Sequence, residues 1–217
     1  MSLIMALETY EGIVMTADRL SVVSFHNEEY DTNDCFHKSF NAHKLFLTIN
    51  GYGISFCGDS KISNNYLIEQ YIQEIICTKD YYGIAPNDIA QDILKLLKQY
   101  DNKTTLLLCG YFKDQSFAIE INCARNEVFQ YPDAAKFKVL RFGDIDITNS
   151  ILDNKFYYGY NTYRLQDAID LLVYTNQVTA KYQQFQEVLQ TVSEECDVLI
   201  LFKSGTYQWL NRNELHI

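Results

Sequence analysis

Two apolar blocks, each with a charge fixed at one end, set the tightest limit on how this chain can fold. The run from Glu11 to Arg19 carries Val14, Met15 and Ala17 into Asp18. The run from His43 to Asp59 starts at Lys44, passes through Leu45-Phe46-Leu47 and ends at Cys57-Gly58-Asp59. Both read as buried strands. A lone charge on a buried strand is costly, so the aspartate and the lysine need a partner, and each is the natural partner of the other. We expect Asp18 and Lys44 on adjacent strands, within ion-pair reach and largely buried.

The rest of the chain alternates strands with helical stretches. Asn64 to Thr78 repeats apolar residues at helical spacing, with Leu67, Ile68, Tyr71, Ile72, Ile75 and Ile76 on one stripe. Asn87 to Tyr100 reads as a second helix, with Asn87 as N-cap and Asp88 at the positive end of the dipole. Strands follow near 104–111, 116–122, 127–131 and 137–142, separated by turns rich in Asp, Asn or Lys. Helices are expected from about Asn161 to Tyr174 and from about Thr179 to Val192. Asp197 to Phe202, a Ser204-Gly205 turn and Thr206 to Leu210 close the chain as a hairpin. Short turns between strands imply antiparallel pairing. Helices grouped in pairs suggest cover for outer sheet faces, which gives an α+β layered domain.

At 217 residues, with 47% hydrophobic residues and only two prolines, one domain over 1–217 is expected. No linker, repeat or membrane-length apolar run divides it. The first residues lack the form of a signal peptide, which points to the cytoplasm. The six cysteines sit mostly in apolar patterns and show no C-x-x-C pair, so they read as thiols. A formal charge of −10 argues against a nucleic-acid partner. The seventeen tyrosines and Trp209 then read as packing or subunit contacts.

The blocks around Asp18, Lys44 and Gly58 resemble the β-type subunits of the proteasome and the HslV-type peptidases. The segment Leu106 to Glu120 also looks like that family's central hairpin. The resemblance implies a four-layer αββα sandwich, the fold of the N-terminal-nucleophile (Ntn) hydrolases. It implies a terminal threonine or serine as nucleophile, and the interval back from Asp18 lands on Ser2. It assigns Lys44 to lowering the pKa of the nucleophile and its amine, Asp18 to holding Lys44, and the Gly58 N–H to the oxyanion. A peptide or amide substrate and a homo-oligomer, ring or similar, come with it, and any ATPase partner stays open. No cofactor and no metal is implied.

Several positions depart from the family pattern. Met1 precedes Ser2, and Met1-Ser2-Leu3 also has the form of a short cloning leader, which would make Ser2 an ordinary first-strand residue. Tyr160, in Gly159-Tyr160-Asn161, stands where a supporting serine is usual. Leu189 falls near the place of a supporting aspartate, and Ser193 is the only nearby serine. Between the blocks, His26 to His37 with Glu28, Glu29, Asp31, Asp34 and Cys35 reads as a solvated acidic loop, its spacing matching no metal frame. Arg19 alternates to the face opposite Asp18 and reads as structural. Three functions therefore stay open: a peptide hydrolase, a non-catalytic structural or binding subunit on the same fold, and a small-amide hydrolase.

Overall fold

The computed structural model describes residues 2–27, 32–63, 66–100, 102–132, 138–152, 162–186 and 189–212. Two five-stranded antiparallel sheets dominate it. The first has the order β12-β1-β2-β13-β14, built from Leu140–Gly143, Leu3–Glu8, Ile13–Asp18, Cys196–Leu201 and Tyr207–Asn211. The second has the order β11-β10-β9-β6-β5, built from Glu127–Gln130, Gln115–Asn122, Thr105–Phe112, Gly53–Cys57 and Leu45–Leu47. Strands β1, β2, β6 and β13 are buried along their whole length, as central strands covered on both faces should be. The β9–β10 hairpin turns on Lys113 and Asp114, both at positive φ (50° and 63°), which matches the twist of the paired strands.

Alternate residues of the central strands feed different apolar clusters. Ile13, Met15 and Ala17 of β2 meet Leu45, Leu107 and Cys109 between the two sheets. Val14 faces outward to Leu172 and Ala168 of helix α4 (Leu165–Gln184). Ile54 and Phe56 of β6 face outward to Ile89, Ile93 and Leu97 of helix α2 (Pro86–Lys98). No helix among the described residues is long and apolar enough to cross a membrane.

The expected four-layer αββα sandwich with paired outer helices is not what the described residues show. The described residues are sheet-rich and form few helices. The stretch read as one helix from Asn64 is a two-stranded piece, β7 (Lys61–Ser63) with β8 (Tyr66–Leu67), then α1 (Ile68–Tyr71) and a π-helical segment over Ile72–Ile76. The two helices expected over 161–192 are one helix of 20 residues, α4. A seven-residue helix, α3 (Asp146–Leu152), precedes it where none was expected. Helix α2 starts at Pro86, with Ala85 rather than Asn87 in the cap position, because a proline at the first helical residue has no N–H to leave unsatisfied. The acidic loop is also different in kind: β3 (Ser21–Asn27) and β4 (Thr32–Ser39) pair as a hairpin, while Glu28, Glu29 and Asp31 lie outside the described residues.

Candidate active site

The site lies where β1 begins and β2 ends. Antiparallel register sets Ile4 opposite Ala17, which brings Ser2 and Leu3 beside Asp18. The Leu3 N–H donates to Asp18 Oδ1 at 2.9 Å. On the other flank of β1, the Asp144 N–H donates to the Ser2 carbonyl at 2.8 Å. Gly143 makes that approach possible. Its φ is +98°, and a Cβ built there would lie 1.7 Å from the Ser2 carbonyl oxygen. Ser2 itself is buried.

Asp18 and Lys44 form a buried ion pair, with Lys44 Nζ donating to Asp18 Oδ1 at 2.9 Å. They do not sit on adjacent strands. Asp18 ends β2 in the first sheet, and Lys44 immediately precedes β5 in the second, so the pair bridges the two sheets. Lys44 Nζ also donates to the Leu20 carbonyl. Asp18 Oδ2 accepts the N–H groups of Leu20 at 2.9 Å and Ser193 at 3.3 Å. The carboxylate thus receives four donors, the saturation a buried charge needs.

Gly58 follows β6 with φ +114°, and a Cβ there would lie 2.4 Å from the Lys103 carbonyl oxygen. That conformation strongly favours glycine. Ser2, Lys44 and Gly58 line one cavity of about 570 Å³, together with Leu20, Phe56 and Glu69 among others. Asp18 is not among the lining residues and stands behind Lys44. Cys57, next to Gly58, is poorly suited as a nucleophile. Burial pushes its thiol up to about 12 against the opposing pull of Lys44, and the reactive form is the thiolate.

The contacts behind Asp18 and Ser2 were only partly visible in sequence. Arg19 turns away from Asp18 and is a hub: Nε donates to Asp197 at 2.8 Å, one terminal nitrogen to Glu195 at 3.0 Å and the other to Asn211 at 3.0 Å. Ser193 Oγ accepts the Arg19 N–H at 2.8 Å and donates to the Glu195 carbonyl at 2.7 Å. Leu189 is half-buried and brings no carboxylate. The carboxylate on this flank is Asp144, whose Oδ2 accepts from Gln183 Nε2 and Thr191 Oγ1, both at 2.7 Å. No sequence pattern pointed to Asp144, because its partners come from α4 and the segment after it. Tyr160 lies outside the described residues. Among the described residues no group of three or more His, Cys, Asp or Glu side chains is placed to hold a metal ion.

No protein-family model matches the chain, and no curated protein matches it. Solved structures do match in fold. An Anbu (Gly-1) mutant from Hyphomicrobium sp. strain MC1 superposes with a TM-score of 0.70 at 15% identity, over 96% of this chain and 85% of that one. Anbu (ancestral beta-subunit) from Yersinia bercovieri gives 0.66 at 14% identity, over 96% of this chain and 86% of that one. These neighbours correct the resemblance drawn from sequence. They are Anbu structures, not the β-type or HslV-type proteins named above. They are compatible with a proteasome-like fold, and at such identities the likeness is one of fold alone.

Proposed function

We propose that a chain with this fold cleaves amide bonds, in peptides or smaller amides, with the Ser2 hydroxyl as nucleophile. The observation that carries the reading is the single cavity lined by Ser2, Lys44 and Gly58, with Lys44 anchored from behind by Asp18. The reaction requires Ser2 to carry a free α-amino group, so Met1 must be removed. Ser2 Oγ attacks the carbonyl carbon and passes its proton to that amine, whose ordinary pKa near 8 lies within reach of neutrality. The Lys44 ammonium favours the deprotonated hydroxyl and the unprotonated amine. The Gly58 N–H stabilises the oxyanion, a donor worth ~10²–10³ in rate at comparable sites. The leaving amine takes the proton from the Ser2 amine, and water then hydrolyses the acyl ester. Self-association of this chain belongs to the same proposal and is checked by light scattering.

The test starts from protein whose first residue is Ser2, established by mass spectrometry, assayed on fluorogenic peptides and on small amides. Ser2→Ala and Lys44→Ala should each lower turnover by ~10³ or more, as loss of one member of a catalytic unit does. Absence of turnover by the Ser2-terminated protein overturns the reading. A non-catalytic role is the second reading, favoured by one observation: Ser193 Oγ already donates to the Glu195 carbonyl. That hydroxyl is committed to the fold rather than to a nucleophile.

A further inference from the structure

The cavity beside Ser2 has a chemical bias of its own. Four ionisable side chains line it: Lys44, Asp59, Lys61 and Glu69. The Lys44 charge is matched by Asp18 at 2.9 Å. Asp59 and Lys61 are exposed at the rim and well screened by water. Glu69 differs from both. It is half-buried, and the His43 N–H donates to its Oε2 at 3.1 Å, which fixes the carboxylate against the wall. Its Oε1 has no hydrogen-bond partner among the described residues. The same cavity is lined by Leu20, Ala42, Phe56 and Ile68, all apolar and buried.

We propose that this cavity receives a cationic side chain, lysine- or arginine-like, next to the amide to be cleaved, and that Glu69 determines that preference. The inference rests on the amide-hydrolase reading for the identity of the neighbouring bond. The apolar walls take the methylene stem of such a side chain, while its charged head meets Glu69 Oε1. A fixed, half-buried carboxylate attracts a cation more strongly than an exposed one, because less water screens it and no side-chain freedom is lost. An acidic side chain would meet Glu69 with like charge, and only the solvated Lys61 could compensate.

The experiment uses the full chain and peptides that differ at one position: arginine, lysine, norleucine or glutamate before the reporter amide. Norleucine keeps the lysine stem without its charge. Binding of the corresponding uncleavable peptides is measured by calorimetry in parallel, so the outcome does not depend on turnover. The arginine and lysine peptides should bind about tenfold or more tighter than norleucine, the scale of one charge-assisted contact. Glu69→Gln, which can still accept the His43 N–H, should bring that ratio close to one, and Glu69→Lys should shift preference to glutamate. Equal binding of all four peptides, tighter binding of glutamate by the unaltered protein, or no binding at all overturns the proposal. Selective binding without turnover sustains it while removing the hydrolase reading.

Discussion

Ser193 and Asp18 are joined across 175 positions of sequence: the Ser193 N–H donates to Asp18 Oδ2 at 3.3 Å. The segment before β13 thereby helps fix the carboxylate that anchors Lys44. A structural role and the proposed catalytic role coincide at this point, so stability and activity must be measured together.

The ion pair should be asymmetric under substitution. Lys44→Met leaves the Asp18 carboxylate with three backbone donors and should cost about 3 kcal/mol. Asp18→Ala leaves a buried ammonium with only the Leu20 carbonyl, and orphans the N–H groups of Leu3, Leu20 and Ser193. That variant should lose about 4–5 kcal/mol. Urea unfolding of both reads the order; a larger loss in Lys44→Met contradicts it.

Arg19→Lys should destabilise although it keeps the charge. One ammonium cannot reproduce the three contacts to Asp197, Glu195 and Asn211. A loss of about 1–3 kcal/mol is expected, read as a lower thermal midpoint. An unchanged midpoint means the fork contributes nothing.

Gly58→Ala should damage both fold and site. The new Cβ meets the Lys103 carbonyl at 2.4 Å in a backbone region that alanine disfavours. Strain and overlap together should cost about 2–5 kcal/mol. On the proposed assignment, any turnover should fall further than stability explains, because the N–H would be displaced from the oxyanion. Retained stability with retained turnover would refute the assignment of this N–H.

Two buried hydroxyls invite the opposite change. Among the described residues, Thr16 Oγ1 and Ser55 Oγ are buried without a hydrogen-bond partner. Thr16→Val and Ser55→Ala should be neutral or stabilising by about 1 kcal/mol, since each removes a desolvated polar group. Marked destabilisation in a chemical melt is the contrary result.

Alkaline pH should unfold the protein through its thiols. Burial raises Cys57, Cys77 and Cys196 from 9.0 to about 12. Above pH 9 the unfolded chain releases these protons while the folded one keeps them. Their contribution is therefore complete below about pH 9 and is lost as pH climbs towards 12. Urea midpoints at pH 7, 9 and 10.5 should fall only across the upper interval, and all three thiols should resist a disulfide reagent in the native state at pH 8.

Local pattern carried the parts of this fold that local chemistry controls. Apolar runs marked β2, β6 and β13, while β1 was not read from its own pattern. The Ser204-Gly205 turn and the polar residues near Lys113-Asp114 marked two hairpins, because turn residues act within a few positions of themselves. Helix α4 was not legible as one element. Thr175 and Asn176 fall in the gap left between the two expected helices, and Thr179 was read as the start of the second. In the fold all three are buried and satisfied: Asn176 donates to the Ser193 carbonyl at 2.8 Å, Thr175 to the Leu171 carbonyl, and Thr179 to the Thr175 carbonyl. Tertiary partners make a polar helix interior tolerable where propensity alone disfavours it. The paired outer helices failed for the same reason, since helical spacing does not reveal where a helix ends against its sheet.

The sequence by itself determined that a buried aspartate and a buried lysine would have to meet, because neither charge could stay unpaired away from water. It also determined that glycine would stand at the end of the second block. Only the tertiary structure decided that Asp18 and Lys44 meet across two sheets rather than along one. It alone brought Asp144, Gln183 and Thr191 together behind Ser2, and set Glu69 on the wall of the same cavity. Apart from Gln183 and Thr191, which are eight positions apart, these contacts join residues 26 or more positions apart. Their geometry comes from how sheets and helices pack, and no local pattern encodes that distance.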